Sequence, residues 1–243
     1  MRLLVVNPNT TRSMTDKIGT AARAAAAPGT DIIAVNPEAG PPSIEGYFDE
    51  VFAVPGLIAE MKRAGEVDGT IIACFDDTGL DAARSFSASP VIGIGEAAFH
   101  LASLVAGKFS AVTTLSRSVP AIEHNLVRYG LASRCVRVRA ADVAVLELEI
   151  PGSPARGRIS REIDLAIHED HAEAIVLGCA GMADLAAELT REHGLPVIDG
   201  VAAAVKLAES LFALGLKTSK RGAYASPLAK RYIGTWQWAS PPA

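Results

Sequence analysis

The chain has 243 residues, of which 49% are hydrophobic and 21% are charged, so it can bury a full core and is not a disordered protein. Its formal net charge is only −4, and no run of Lys or Arg occurs. This balance argues against a partner such as a nucleic acid or an anionic membrane, and it favours a small-molecule partner.

The chain begins with a short apolar run, Leu3 to Val6, which Asn7-Pro8-Asn9 ends. The run is too short for the core of a signal peptide and far short of the roughly 20 apolar residues that span a bilayer. We therefore predict a buried first strand in a cytoplasmic protein that has no membrane partner.

Short β-branched runs alternate with Ala-rich stretches of helical period along the rest of the chain. This pattern is typical of βαβ units, and the predicted fold class is α/β with mainly parallel sheets. Strands are predicted over 3–6, 31–35, 69–74, 91–93, 109–113, 136–140, 174–177 and 197–198. Helices are predicted over 13–27, 47–64, 79–85, 95–104, 119–129, 160–170, 182–192 and 201–213.

The two halves of the sequence resemble each other. Ile71 to Cys74 aligns with Val176 to Cys179 at an offset of 105 residues, and both cysteines end an apolar run. Two further alignments agree with this offset to within one residue: 11–13 with 116–118, and 90–92 with 196–198. Such a repeat indicates duplicated structural units. We predict two similar α/β lobes facing one cleft, residues 1–95 and 96–205, and assign the C-terminal tail, residues 206–243, to the first lobe.

The chain has three cysteines, Cys74, Cys135 and Cys179, without CxxC spacing, which argues against a disulfide framework and a clustered zinc site. Taken alone, Cys74 and Cys179 are each better explained as small buried residues at the end of a core strand. At equivalent positions of duplicated lobes, however, they would lie on opposite sides of one substrate, as a proton transfer between two faces requires. A thiol at the start of a helix is also favoured as thiolate, which makes it a usable base. Cys135 has no partner in the repeat and is assigned to packing.

Polar residues follow the first predicted strand of each half. The loop Asn7-Pro8-Asn9-Thr10 leads into a helix for which Thr11 or Ser13 is a candidate N-cap. Its counterpart, Thr113-Thr114-Leu115-Ser116, is rich in hydroxyl groups. These loops are explained equally well as turns with caps or as groups that hold the oxygens of an enolate.

Asp76 and Asp77 directly follow the first of the paired cysteines. A solvated helix cap explains one of them, and an acidic group beside a thiol is also suited to accept a substrate N–H.

His168 and His171 lie on a predicted exposed helix and are not expected to bind a metal. Gly93-Ile94-Gly95 lacks the third glycine of a dinucleotide fingerprint, and no P-loop pattern occurs. We therefore predict no metal site and no nucleotide cofactor.

Five segments carry a resemblance to a known family: Val6-Asn7-Pro8-Asn9-Thr10, Ala73-Cys74-Phe75-Asp76-Asp77, Gly93-Ile94-Gly95-Glu96-Ala97, Thr113-Thr114-Leu115-Ser116-Arg117-Ser118 and Leu177-Gly178-Cys179-Ala180-Gly181-Met182. The sequence resembles the aspartate/glutamate racemase superfamily and, within it, the hydantoin and allantoin racemase branch, as far as about Tyr232. The resemblance implies two pseudo-twofold-related α/β lobes with the substrate between them and no metal or organic cofactor. It also implies that the thiolate of one cysteine removes a proton and the thiol of the other returns one. By matching position, Cys74 and Cys179 are the acid/base residues, and the substrate site is lined by Asn7, Asn9, Asp76, Thr113, Thr114 and Ala180.

Glutamate-specific members of that superfamily carry Cys-Asn-Thr after the first cysteine, where this chain has Phe75 and Asp76. Because an ionised Asp76 would repel a free carboxylate, a neutral cyclic ureide suits this site better. We expect a homo-oligomer that racemises 5-substituted hydantoins at C5 without a cofactor. The alternatives are an allantoin racemase, an enzyme similar to maleate isomerase or aspartate racemase, and a non-catalytic two-lobed ligand-binding protein. By the same resemblance, the Gly- and Pro-rich loop 38–46 is expected to close over the cleft.

Overall fold

A computed structural model describes residues 1–241, which form two four-stranded sheets. The first sheet comprises β1 (Arg2–Val6), β2 (Asp31–Val35), β3 (Gly69–Ile72) and β4 (Val91–Gly93), in the order β2-β1-β3-β4. The second comprises β5 (Phe109–Thr113), β6 (Cys135–Ala140), β7 (Ala174–Gly178) and β8 (Val197–Ile198), in the order β6-β5-β7-β8. All paired strands are parallel. The predicted α/β fold class is confirmed, and the two sheets have the same topology.

Eight α-helices occur within the described residues: α1 (Arg12–Ala25), α2 (Tyr47–Ala64), α3 (Leu80–Phe86), α4 (Ile94–Val105), α5 (Val119–Arg128), α6 (Ala155–His168), α7 (Ala186–His193) and α8 (Gly200–Ala213). Two of them begin more than one residue from the predicted start. α6 begins five residues early because Pro154, at its N-cap, has the fixed φ that favours a helix start. α7 begins late because Ala180–Met182 forms a separate 3₁₀ turn.

The central strands β1 and β5 are buried on both faces. Leu3 to Val6 in β1 are at most 1% exposed, and Phe109, Ala111 and Val112 in β5 are fully buried. A strand covered on both faces carries apolar side chains at successive positions. This explains the continuous apolar runs that predicted these two strands.

Helices α4 and α8 join the two sheets through a shared core. α8 packs on β3 of the first sheet, α4 packs on β7 of the second, and the two helices pack against each other. Phe75, Phe99 and Phe109 form an aromatic row, with ring centroids 5.3 Å apart in the first pair and 5.9 Å apart in the second. The largest core cluster therefore contains residues of both sheets.

The tail that follows α8 lies against the helices of the first sheet. Lys220 Nζ donates to the carbonyl oxygens of Arg84, Ser85 and Ser87 at the end of α3, at 3.0, 2.8 and 3.2 Å. The predicted boundaries of the two lobes stay a prediction, and residues 242–243 of the tail lie outside the described residues. In the part of the chain that the structure describes, no helix combines the length and the apolar character needed to cross a bilayer.

Candidate active site

A small cavity of about 30 Å³ lies where the carboxyl ends of β1, β3, β5 and β7 meet. Its walls come from both lobes. Its position is the one expected for parallel sheets, whose ligands bind beyond the carboxyl ends of the strands. Seven of the eight residues predicted for the site line this cavity: Asn9, Cys74, Asp76, Thr113, Thr114, Cys179 and Ala180.

The eighth residue, Asn7, lies behind the cavity wall and orients Asn9. Its Nδ2 donates to Asn9 Oδ1 at 2.9 Å and to Thr15 Oγ1 at 3.0 Å. Asn9 Oδ1 also accepts the backbone N–H of Thr11 at 2.9 Å, which satisfies a free amide at the start of α1. Thr11, one of the two predicted candidates, is the N-cap residue of α1, but its side chain accepts no N–H of the helix and its hydroxyl donates to the Pro42 carbonyl oxygen instead.

Thr113 ties the end of β5 to the end of β7. Its Oγ1 donates to the carbonyl oxygen of Gly178 at 3.0 Å. The two strands approach so closely that a Cβ at Gly178 would lie 2.8 Å from Thr113 Cβ. Because Gly178 directly precedes Cys179, this contact positions the second thiol, while Thr114 presents a further hydroxyl at the cavity wall.

Cys74 follows β3 in acidic surroundings. Thr78 donates its hydroxyl to Cys74 Sγ at 3.3 Å. Burial raises the pKa of the Cys74 thiol well above its usual range, and the negative charge of Asp76 raises that pKa further. The charge of Glu50 raises this pKa by a smaller amount. The Thr78 hydroxyl and the Asp76 backbone amide act in the opposite direction and lower it. The surroundings of Cys74 therefore favour the thiol form.

Cys179 follows β7 and directly precedes the 3₁₀ turn Ala180–Met182. Burial raises the pKa of the Cys179 thiol to about 11, and the charge of Asp76 contributes to the rise. The backbone N–H of Gly181 and the ammonium of Lys17 lower this pKa because both favour the thiolate. The two thiols thus share a cavity but have different electrostatic surroundings.

The expected lowering of the thiol pKa values by helix dipoles is wrong. α3 begins only at Leu80, well after Cys74, and the turn that follows Cys179 is a three-residue 3₁₀ helix. Neither thiol lies at the first turn of an α-helix, where the dipole is effective. Burial dominates instead and raises both pKa values.

Asp76 lines the cavity beside Cys74 and titrates near neutral pH. Burial, followed by the negative charges of Glu50 and Asp77, raises the pKa of Asp76 to about 7. Glu50 Oε1 is buried and has no hydrogen-bond partner among the described residues. At neutral pH, Asp76 therefore exists both as an acid that donates to an oxygen and as a carboxylate that accepts an N–H.

Asp77 caps a helix, but the helix is α4. Its Oδ1 accepts the N–H of Gly95 at 2.9 Å, and its Oδ2 accepts the N–H of Glu96 at 2.8 Å and the hydroxyl of Tyr129 at 2.7 Å. Asp77 is only 3% exposed, so the expectation of a solvated cap is wrong for it. A Cβ at Gly93 would lie 2.0 Å from Asp77 Oδ1. The paired glycines therefore accommodate this carboxylate.

Seven other residues of the wall were not predicted as site residues: Met14, Ile44, Ala73, Phe75, Ser118, Val145 and Gly178. Ile44 and Val145 lie in the loops after β2 and β6, which are equivalent edge strands of the two sheets. Glu45 Oε1 accepts the backbone N–H of Val145 at 3.1 Å and so joins these loops across the cleft. The internal repeat could have predicted these two loops together, because a loop that reaches the cleft in one lobe predicts its counterpart in the other.

A Ser–His–Asp contact in the second lobe belongs to the packing between α6 and α7. Ser160 Oγ lies 3.0 Å from His193 Nε2, and His193 Nδ1 lies 3.1 Å from Asp164 Oδ1. Ser160 Oγ donates to the carboxylate of Glu192 at 2.6 Å, and none of these residues lines the active-site cavity. Within residues 1–241, no cluster of three or more His, Cys, Asp or Glu side chains is arranged to hold a metal ion.

Comparison with known proteins extends the likeness to the whole fold. The chain matches the family model described as Asp/Glu/Hydantoin racemase over residues 3–208. It is 47% identical over 236 residues to the hydantoin racemase of Rhizobium meliloti, covering 96% of this chain and 98% of that one. It is 46% identical over 236 residues to the hydantoin racemase of Pseudomonas sp., covering 96% and 95%. Among solved structures, the allantoin racemase from Klebsiella pneumoniae is similar, with a TM-score of 0.96, 51% identity and 99% of both chains covered.

Proposed function

Because the chain belongs to the Asp/Glu/hydantoin racemase family, we propose that it interconverts the enantiomers of 5-substituted hydantoins at C5. In this proposal Cys74 and Cys179 transfer the protons, and neither a metal nor an organic cofactor takes part. One observation carries the proposal: two cysteines, at equivalent positions of two sheets with the same strand order, line one cavity. Thiols from two lobes can act on a substrate from two sides.

In the proposed reaction, a thiolate on one side removes the C5 proton, and the thiol on the other side delivers a proton to the opposite face. The electron pair of the C–H bond passes into the neighbouring ring carbonyl to give an enolate, and it returns to C5 when the new proton arrives. This is general acid–base catalysis, and enolate stabilisation lowers the barrier most. Asn9 and Thr114 are the wall residues suited to hold the enolate oxygens.

The raised pKa values of the thiols give the mechanism a pH dependence. With a pKa of about 11, the Cys179 thiolate is scarce at neutral pH but is a stronger base than an ordinary thiolate. Below the pKa of a thiol, its thiolate fraction rises about tenfold per pH unit. We therefore expect kcat/KM to increase with pH above neutrality.

Asp76 is proposed to bind the ring of the substrate. As a carboxylate it accepts a ring N–H, and as an acid it donates to a ring carbonyl. The same charge disfavours a free carboxylate, so an α-amino acid or maleate fits the site less well than a cyclic ureide. The expected homo-oligomer and cytoplasmic location stay predictions.

Allantoin is the second candidate substrate, favoured by the similarity to the solved allantoin racemase. Allantoin carries a polar ureido group at C5, whereas Met14, Ile44, Phe75 and Val145 contribute apolar side chains to the cavity wall. Apolar walls gain most from burying an apolar substituent. This feature favours hydantoins with apolar C5 side chains over allantoin.

The test follows optical rotation and deuterium uptake at C5 for enantiopure 5-benzylhydantoin and enantiopure allantoin in heavy water. The enzyme variants are Cys74→Ser, Cys179→Ser and the control Cys135→Ser, whose thiol does not line the cavity. We expect turnover without added cofactor, with kcat/KM higher for the hydantoin. Either cavity variant should lose racemisation by about 10³-fold, and the control should keep it.

Three results would contradict parts of this proposal. Undiminished racemisation by a cavity variant would disprove the two-thiol mechanism. A higher kcat/KM for allantoin would reverse the order of the two candidate substrates. If neither compound is turned over but aspartate or maleate is, the substrate is an open-chain acid and not a cyclic ureide.

A further inference from the structure

Lys17 is a first-lobe residue whose side chain ends in the second lobe. It lies in α1, and its Nζ donates to the carbonyl oxygens of Leu148 at 3.2 Å and Gly181 at 3.5 Å. The same Nζ lies 2.9 Å from Glu149 Oε1, an ion pair without the directional geometry of a hydrogen bond. The Lys17 and Glu149 side chains are only 23% and 16% exposed, so water screens this charge weakly.

Gly181 connects Lys17 to the Cys179 thiol. Its carbonyl oxygen accepts from Lys17, a Cβ built on it would lie 3.7 Å from Cys179 Sγ, and its nearby backbone N–H favours the thiolate. Gly181 also packs against Leu148, because a Cβ at this glycine would lie 3.0 Å from Leu148 Cδ1. One ammonium group thus holds two backbone segments that enclose the second thiol.

We propose that Lys17 is a positioning residue for Cys179, holding the Gly181 amide against the sulfur and supplying a positive charge that stabilises the thiolate. The proposal deepens the function proposed above and rests on it only for its effect on turnover. Among the described residues, no cation is placed in this way on the other side of the cavity, where the charged groups that act on Cys74 are the carboxylates Asp76 and Glu50.

The charged groups around Cys179 give the proposal an internal control. Asp76 faces the thiol from the loop after β3, Lys17 faces it from α1, and Glu149 faces it from the 3₁₀ turn Val145–Glu149. Glu149 opposes Lys17, because its negative charge disfavours the thiolate. Removing the charge of Lys17 and removing that of Glu149 should therefore shift Cys179 in opposite directions.

The test measures the rate at which iodoacetamide alkylates each cysteine between pH 6 and 10, resolved by mass spectrometry of the separate peptides. In Lys17→Met, alkylation of Cys179 at pH 8 should slow about fivefold, and alkylation of Cys74 should keep its rate. Lys17→Arg should restore most of the Cys179 rate because it keeps the charge. Glu149→Gln should accelerate Cys179, and Cys135 serves as the reference thiol in every variant.

Two results would overturn the proposal. One is an unchanged pH profile of Cys179 in a folded Lys17→Met variant, with the circular dichroism of the parent. The other is a parallel slowing of Cys74, which would indicate general damage and not a local charge effect. Since alkylation needs no substrate, it tests Lys17 even if the chain fails to turn over hydantoins; with turnover, kcat/KM of Lys17→Met should fall about fivefold alongside the alkylation rate.

Discussion

The two halves of the candidate active site have the same backbone arrangement but differ in charge. In each half, the helix that follows the first strand of the opposite sheet contacts the loop that carries the cysteine. Asn125 in α5 donates to the carbonyl oxygen of Asp76 at 2.8 Å in the Cys74 loop, and Lys17 in α1 donates to the Cys179 loop. The repeat makes α1 and α5 equivalent, yet one provides a neutral amide and the other a cation.

This difference shows what duplication does and does not determine. Equivalent strand ends place two thiols at one cavity, whereas neighbouring side chains decide which thiol ionises first. Carboxylates surround Cys74, and the Cys179 thiolate is favoured by Lys17 and the Gly181 amide. In the proposed mechanism the two thiols have opposite protonation states at any moment, and their unequal surroundings favour such a difference.

Removing one thiol at a time should have the largest effect and tests whether the halves divide the work. In Cys74→Ala and Cys179→Ala, racemisation should fall by about 10³-fold, because one base is lost. The remaining thiolate still removes and returns a proton on its own side. We therefore expect deuterium from heavy water to enter only one enantiomer in each variant, and the opposite one in the other, as measured by proton NMR at C5. Exchange of both enantiomers by a single variant would show that the thiols do not serve separate faces.

Asp76→Asn tests the shared electrostatic contribution to the two halves and should have an intermediate effect. Above pH 7 the charge of Asp76 raises the pKa of both thiols, and it is the largest charge effect on each of them. At pH 8 iodoacetamide should therefore alkylate both Cys74 and Cys179 about fivefold faster in the variant than in the parent protein.

The pH dependence of this effect has a definite sign. Because the pKa of Asp76 is about 7, the parent protein already holds a neutral Asp76 well below that pH. The difference between the parent and Asp76→Asn should thus narrow at pH 6, with Cys135 unchanged throughout. A difference that persisted at pH 6 would mean that shape, and not charge, links Asp76 to the thiols.

Asn125→Ala should have the smallest effect. It tests the hydrogen bond that this neutral amide makes to the Cys74 loop. The loss of one hydrogen bond should lower the free energy of unfolding by about 1 kcal/mol, measured by urea denaturation, and reduce kcat/KM about threefold. Thr20 occupies the equivalent position in α1 and bonds only within its own helix, to the Asp16 carbonyl oxygen. Thr20→Ala is therefore the matched control and should leave kcat/KM unchanged. Equal losses in the two variants would show that contact across the cleft is not what matters at Asn125.

The fold and the pairing of the cysteines could be predicted because both are visible within short windows of sequence. The apolar runs that form β1 and β5 predicted buried parallel strands, and the match of Ile71 to Cys74 with Val176 to Cys179 placed both thiols at equivalent strand ends. Residue periodicity and internal repetition are properties of the chain itself. They need no knowledge of distant contacts.

The surroundings of the thiols could not be predicted in the same way. The contact between Lys17 and Gly181 joins residues 164 positions apart, and that between Asn125 and Asp76 joins residues 49 positions apart. No local pattern encodes such pairs. The helix-dipole expectation failed for a related reason, since the ionisation of a thiol depends on burial by side chains from both lobes.

Helices α4 and α8 have a consequence for how the molecule unfolds. α4 follows β4 but packs on β7 of the second sheet, and α8 follows β8 but packs on β3 of the first sheet. Phe75, Phe99 and Phe109 continue the core from one lobe into the other. Unfolding of either lobe would expose apolar surface of both lobes. A partly unfolded intermediate is therefore not expected to be populated. The chain should therefore melt in a single cooperative transition, and the spacing of the two thiols is as durable as the fold itself.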